Sequence, residues 1–151
     1  MGNPFDKAYD LAVRYLARRA RSCFEMQHYL SQKKGVDTPV AKQVIERLID
    51  LGYIDDRNFA RQFIRDRIRF KPKSRYALGY ELKAKGIDET LAAELLDPLD
   101  DADLAMEAAL QRIDQWKRLA PEDQKKKLMN YLRYRGFDYT TFMVVWEKLF
   151  P

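Results

Sequence analysis

One segment of this chain occurs three times at a nearly constant spacing, and that repetition constrains the fold more than any other feature. Ser22, Met26, Leu30, Gly35, Val36 and Asp37 return as Ser74, Leu78, Leu82, Gly86, Ile87 and Asp88. They return again, less perfectly, as Gln124, Leu128, Leu132, Gly136, Phe137 and Asp138. The glycines stand 51 and then 50 residues apart, and only the first copy carries an extra residue between its last leucine and the glycine. A period of this size is the mark of a repeat architecture. Each copy has the same physical reading. Two apolar residues four apart face a core, and a glycine ends the helix in the left-handed conformation. An apolar residue then closes over the helix end, and an aspartate caps the next helix.

The rest of the chain keeps the helical period. Phe5, Ala8, Tyr9, Ala12, Val13 and Leu16 form one apolar stripe, and Met106, Ala109, Leu110, Ile113 and Trp116 repeat it late in the chain. Ser22 to Glu25 reads as a capping box, while Pro39 and Pro121 stand where a first turn tolerates a missing N–H. There is no long alternating run of β-branched residues and no Asn-Gly or Asp-Gly hairpin turn. A further helix follows each copy, through Val40, Val44 and Leu48, then Leu91 and Leu95, then Phe142, Val145 and Leu149. A longer helix precedes each. The expectation is an all-α fold of three tandem three-helix repeats, about nine helices, at residues 5–54, 55–99 and 100–150. Units of this size bury little surface alone, so they should stack end to end into an elongated, curved body whose neighbours share cores. The joint from Leu96 to Asp103 is short, with Pro98 stopping a helix and Asp101 or Asp103 capping the next.

Composition narrows the function. Apolar residues make up 46% of the 151, enough for a packed interior. The net charge of +5 and pI near 9.3 favour an acidic partner, nucleic acid being the commonest. One cysteine, Cys23, and one histidine, His28, leave no material for a disulfide, a cysteine-bound zinc or a multi-histidine metal site. No cofactor or small-molecule substrate is expected. Met1 to Asp10 carries acids and lacks a long apolar core, so it does not read as a signal peptide. No apolar run is long enough to span a membrane. A reducing cytoplasm fits, and a monomer is expected.

Enzyme motifs are wanting. The six glycines are isolated, so no glycine-rich loop can wrap a phosphate. Asp55-Asp56 and Asp100-Asp101 offer adjacent carboxylates, but both pairs stand at helix starts, where acids complement the dipole. His28 lies between Met26 and Tyr29 and reads as packing or surface. Cys23 falls in a first helical turn, a place that lowers a thiol pKa, yet no base accompanies it.

The strongest electrostatic feature is central. Arg57, Arg61, Arg65, Arg67, Arg69, Lys71, Lys73 and Arg75 are broken only by the acid Asp66. Arg61, Arg65 and Arg69 fall on one side of a helix, and Phe59, Phe63 and Phe70 on the other. The sign is too uniform for a face laced with ion pairs, and arginine suits phosphate and carboxylate through its forked donors. Smaller basic groups occur at Arg18, Arg19 and Arg21, and at Lys125, Lys126, Lys127, Arg133 and Arg135. The partner surface is therefore sought at Arg57, Arg61, Arg65, Arg69, Lys71, Lys73 and Arg75, with Lys125, Lys126, Arg133 and Arg135. Of the aromatics crowding the last unit, most follow the helical period and read as core. Tyr134 and Tyr139 are the candidates for exposed rings.

The residues also resemble a known family. Arg19, Arg21, Ser22, Glu25, Met26 and Leu30 look like the opening signature of the RecX family, and Gly52 to Ala60 resembles its most recognisable stretch. Glu81-Leu82-x-x-Lys85-Gly86-Ile87 resembles the middle signature, and Tyr131-Leu132-x-Tyr134-Arg135-Gly136-Phe137 the third. Met26 stands where the family often has leucine, and Ser74 where it often has glycine. The resemblance implies three tandem three-helix units. It also implies a non-enzymatic regulator of DNA repair and the SOS response. Such a protein binds the RecA recombinase filament on single-stranded DNA, touching DNA directly or through RecA, and inhibits ATP hydrolysis, strand exchange and co-protease activity. The rival reading is a stand-alone helical DNA-binding module, because a tight glycine turn before a last helix resembles a helix-turn-helix layout. Asp37-Thr38-Pro39, Asp88-Glu89-Thr90 and Asp138-Tyr139-Thr140 are poor starts for recognition helices, since their acids repel phosphate.

Overall fold

Nearly every helix begins at a capping side chain. In the computed structural model, which describes residues 3–151, Asn3, Ser22, Asp37, Asp55, Ser74, Asp88, Asp100 and Asp138 each accept a hydrogen bond from an amide of the turn that follows. Such caps stabilise a helix by about 1 kcal/mol each. The helices they open are α1 (Pro4–Arg18), α2 (Cys23–Ser31), α3 (Thr38–Asp50), α4 (Asp56–Phe70), α5 (Arg75–Ala84), α6 (Glu89–Leu96), α7 (Asp101–Leu110) and α9 (Tyr139–Leu149). Between the last two lies α8 (Pro121–Tyr134), which has no side-chain cap and starts on Pro121, a residue with no N–H to satisfy. The capping box at Ser22 and Glu25 is complete in both directions. Strands are absent among the described residues. Met1 and Gly2, part of the segment read for a signal peptide, lie outside them.

The topology repeats with the sequence. In each unit the first two helices pack on the third: α1 and α2 on α3, α4 and α5 on α6, α7 and α8 on α9. Gly35, Gly86 and Gly136 all hold the left-handed conformation, with φ of +84°, +77° and +92°. After Gly86 and Gly136 the chain folds back tightly, Ile87 N–H donating to Leu82 O and Phe137 N–H to Leu132 O. The extra residue in the first copy loosens this closure, so Val36 N–H reaches only Lys33 O. Met26 and Leu30, Leu78 and Leu82, Leu128 and Leu132 are all fully or almost fully buried, each worth roughly 1.5–3 kcal/mol relative to exposure.

The shared core predicted at every joint exists at one of two. Units two and three bury one continuous cluster, from Phe59 and Ile64 through Leu78 and Leu82 to Leu132, Phe142 and Val145. Unit one keeps its own, built on Ala8, Ala12, Met26, Leu30, Val44, Leu48 and Ile54. It meets unit two through polar contacts. The Ser22 hydroxyl donates to Lys85 O at 2.7 Å, Cys23 N–H donates to Asp56 Oδ1 at 2.8 Å, and Lys85 Nζ lies 3.3 Å from Glu25. The second joint repeats the plan, with Ser74 N–H donating to Arg135 O and Arg75 N–H to Asp101 Oδ1. The adjacent carboxylates thus divide their work. Asp55 and Asp100 cap their own helices, while Asp56 and Asp101 reach back to the preceding unit.

Three local expectations need correction. The late apolar stripe is not one helix: α7 ends at Leu110, which is 54% exposed, and Ile113–Trp116 form a short 3-10 helix. The buried side of α7 is instead Leu104, Ala105, Ala108 and Ala109, small residues that admit α9 closely. In α6 the buried positions are Ala92 and Leu96, with Leu91 and Leu95 only half-buried. Neither Asp101 nor Asp103 caps α7; Asp100 does, accepting from the amides of Ala102 and Asp103.

Candidate nucleic-acid interface

Half of the central basic run is already committed. Arg57 pairs with Glu94 at 2.9 Å, Arg67 with Glu81 at 2.7 Å, Lys73 with the same Glu81, and Arg75 with Asp101 at 3.5 Å. The expectation that this run lacks ion pairs is therefore wrong for four of its members. Their partners come from α5, α6 and α7, distant in sequence, where a local count of charges does not look. Burial alone would raise the Glu81 pKa, but hydrogen bonds from Lys73 and Arg67 hold it below the usual carboxylate range. Glu25 is held down in the same way. Burial opposes, while Arg19, the Ser22 amide and Lys85 prevail.

Arg61, Arg65, Arg69 and Lys71 remain exposed, and none makes an ion pair among the described residues. Arg69 lies over the exposed Phe70 ring, 5.1 Å from its centroid. In the third unit Lys126 and Arg133 are exposed, and Lys125 is half-buried with its ammonium over Trp146. Arg135 is not a surface cation at all. It is 5% exposed, its guanidinium lies 4.9 Å from the Tyr131 ring centroid, and it donates to Pro72 O at 3.4 Å. As the residue that ends α8 against the Ser74 turn, it is enclosed by the joint between units two and three.

Arg61 and Arg65 line an open cleft of about 430 Å³ between units one and two. Its walls are the α1–α2 connection at Ala20 and Arg21, the α3–α4 turn at Gly52 and Tyr53, and one face of α4 carrying Asn58, Phe59, Arg61, Gln62 and Arg65. Arg21 is held in place by stacking on Tyr15, 3.7 Å from the ring centroid, and by Tyr15 O. Tyr53 is 60% exposed. Its backbone is nonetheless fixed, because Gly52 takes φ +78° and Tyr53 N–H donates to Leu48 O at 2.8 Å in a Schellman-type helix end. The buried Ile54 next to it anchors the turn. Tyr53 lies within the Gly52 to Ala60 stretch that resembles the family signature, and its sequence pattern does not single it out as a site residue. The available signal was its place just beyond a helix-ending glycine and just before an apolar residue.

The exposed rings predicted in the last unit are Tyr134 and Tyr139, and both are open, at 80% and 61%. Tyr76 and Tyr80 were missed and are as open, at 82% and 71%, one turn apart on the outer side of α5. Three further grooves recur at equivalent places, between the second and third helix of each unit. They are floored by Val36 and Ala41, by Ile87 and Ala92, and by Phe137 and Phe142. They are products of the repeat rather than clusters of reactive groups. Among the described residues no three His, Cys, Asp or Glu side chains gather to hold a metal, and no helix is long and apolar enough to cross a membrane. Cys23 is not an activated thiol. Burial first, and then the neighbouring Asp56 carboxylate, push its pKa up to about 11.

Comparison with known proteins decides the family. Models of the first, second and third three-helix domains of RecX match residues 8–48, 55–96 and 100–146, in that order. The chain belongs to the RecX family. A "Regulatory protein RecX" of Chlorobium phaeobacteroides is 37% identical over 150 residues, covering 95% of this chain and 94% of that one. Another, from Prosthecochloris aestuarii, is 38% identical over 143 residues, covering 95% and 93%. The crystal structure of RecX from Lactobacillus salivarius superposes with a TM-score of 0.79 over 97% of this chain, at 23% identity, and so shares its fold. The RecX relatives carry the name of regulatory proteins, and the three-unit helical architecture is common to them.

Proposed function

We propose that this chain binds the RecA filament assembled on single-stranded DNA and restrains it, lowering ATP hydrolysis, strand exchange and co-protease activity. It thereby modulates recombinational repair and the SOS response from the bacterial cytoplasm, as a monomer without catalysis of its own. The reading is carried by one observation: all three RecX domains lie in order on the chain, at 37% identity to a named regulatory relative. The unpaired cations support an electrostatic part in it. Arg61, Arg65 and Arg69 form a positive surface on one side of α4, with Lys71 just past its end, and none of the four is paired with a carboxylate among the described residues. Units 5–54, 55–99 and 100–150 act as linked contact modules, so individually weak contacts add through effective concentration.

The rival, a DNA reader acting alone, meets an obstacle in the caps. Asp37, Asp88 and Asp138 cap the third helix of each unit, at the end from which a recognition helix would touch bases. The test is single-stranded-DNA-dependent ATP hydrolysis by the cognate RecA, titrated with this chain. Inhibition well below one molecule per protomer is the expected result. Unchanged hydrolysis, at concentrations where the chain still binds bare DNA, would overturn the proposal in favour of the rival.

A further inference from the structure

We infer that the cleft between the first and second units holds one nucleotide of single-stranded nucleic acid, its base against the Tyr53 ring and its phosphate on Arg61 and Arg65. The inference rests on reading α4 as a surface for a polyanion, but not on RecA being present.

Three features of the cleft point to a nucleotide rather than to a plain anion. First, Arg61 and Arg65 are four residues apart on one helical face, so their Cβ atoms are about 5–6 Å apart and both forks can reach a single phosphodiester. Neither is spent on an internal carboxylate, unlike Arg57, Arg67, Lys73 and Arg75 of the same run. Second, the same cavity holds Tyr53, an aromatic ring 60% exposed on a turn whose backbone is fixed by hydrogen bonds. An exposed ring beside free cations is what base stacking needs, and a carboxylate-bearing partner has no use for it. Third, the same lining carries the side-chain amide of Asn58, which can donate to and accept from a base edge, and Gln62, whose Nε2 donates to Asp66 Oδ1 at 3.0 Å while its oxygen stays open to a donor.

The one acid in the cleft lining does not spoil this arrangement. Asp55 caps α4 and accepts from Asn58 N–H, so its charge faces the positive end of the helix. It also stands ten residues before Arg65, about 15 Å along the axis. A single strand is required, because the faces of bases in a duplex are covered by their neighbours.

The test uses the full chain without RecA and a fluorescent twelve-residue oligothymidylate, beside an oligomer of equal length whose bases are replaced by abasic units. Wild type should bind the thymidylate about tenfold more tightly than the abasic strand, as stacking of one base allows. Tyr53→Ala should erase that preference, Tyr53→Phe should keep it, and Tyr76→Ala, at an equally exposed ring outside the cleft, should keep it too. The Arg61→Ala/Arg65→Ala pair should weaken both strands alike and lower the salt slope by about 1.4, the value for two single-strand phosphate contacts. If Tyr53→Ala perturbs the circular dichroism spectrum, photo-crosslinking of wild type to an oligomer carrying 5-iodouracil gives the same answer by naming the attached residue. Full preference in a folded Tyr53→Ala protein, crosslinking confined to other rings, or no preference in wild type would each overturn the inference. RecA inhibition measured in parallel separates the two proposals, since either can fail while the other stands.

Discussion

Replacing Gly86 with alanine should part the first unit from the second, whereas the same change at Gly35 should do little. Both glycines sit at equivalent helix ends with positive φ, +77° and +84°. An alanine in the left-handed region costs about 1–2 kcal/mol at either place. Their surroundings differ. A Cβ on Gly35 would meet nothing within 4 Å, but a Cβ on Gly86 would stand 2.1 Å from Phe24 Cβ and 2.4 Å from its Cγ. Carbon atoms in contact prefer about 3.5–4.0 Å, so the two backbones must separate by about 1.5 Å. Phe24 Cβ is fixed to α2 and cannot rotate aside. A shift of that size breaks the 2.7 Å bond from Ser22 to Lys85 O and strains the Cys23–Asp56 and Lys85–Glu25 contacts beside it. At about 1 kcal/mol for each hydrogen bond lost, Gly86→Ala should cost about 3–5 kcal/mol in total, some 2–3 more than Gly35→Ala. Urea denaturation followed by far-ultraviolet circular dichroism measures both. A cycle with Phe24→Gly isolates the contact, because that change removes the clashing atom and should restore most of the excess. Equal costs at Gly35 and Gly86, or no coupling in the cycle, would refute the reasoning.

Other consequences can be checked as directly. Alkylation of Cys23 by iodoacetamide should accelerate about tenfold per pH unit from 8 to 10, with no plateau near the free-thiol value of about 8.5; Asp56→Asn should bring the titration down, and a wild-type plateau near 8.5 would show the thiol to be solvated. Glu25 and Glu81 have depressed folded pKa values, so their contribution is present above the unfolded value of about 4.3 and is lost as pH falls through the folded one. The urea midpoint should therefore drop below pH 5, and Glu25→Gln with Glu81→Gln should flatten that drop; an unchanged slope would count against it. Arg135→Met should leave oligonucleotide affinity unchanged and stability equal or higher, since a buried guanidinium with no carboxylate gives way to an apolar chain of similar length; weakened DNA binding with intact stability would return Arg135 to the surface.

What the sequence disclosed, and what it hid, follows from the range of the interactions involved. Caps and helix ends are made within four residues, so Ser22, Asp37, Asp88, Asp138 and the glycines could be assigned from spacing alone. The repeat was visible for the same reason. Ion pairs reach across the fold, and the partners of Arg57 and Arg75 stand 37 and 26 residues away. The charge run therefore looked unpaired when half of it was not. Arg135 misled by type. A long cationic side chain reads as surface, but this one ends a helix at a joint and is covered by the neighbouring unit. Cys23 misled by position, because the first-turn rule assumes a thiol facing the dipole in water, whereas here a half-buried thiol faces Asp56.

The two joints show how one repeated sequence can make unlike connections. Ser22 and Ser74 are equivalent and both buried, and in each case the neighbour's helix end lies against them. At the second joint an apolar cluster runs straight through, so parting the units would expose Leu82, Leu132 and their neighbours together. At the first joint no cluster crosses, and the units hold by a few hydrogen bonds and the Phe24–Gly86 contact, the bonds contributing about 1 kcal/mol each. The Arg61–Tyr53 cleft lies at this weaker joint. Arg21 and Tyr53 come from unit one, while Arg61 and Arg65 come from unit two. Its width is therefore set by the contact that costs least to change. A substitution at Gly86, outside the cleft, should accordingly weaken single-strand binding along with stability, while Gly136→Ala at the apolar joint should not reach it.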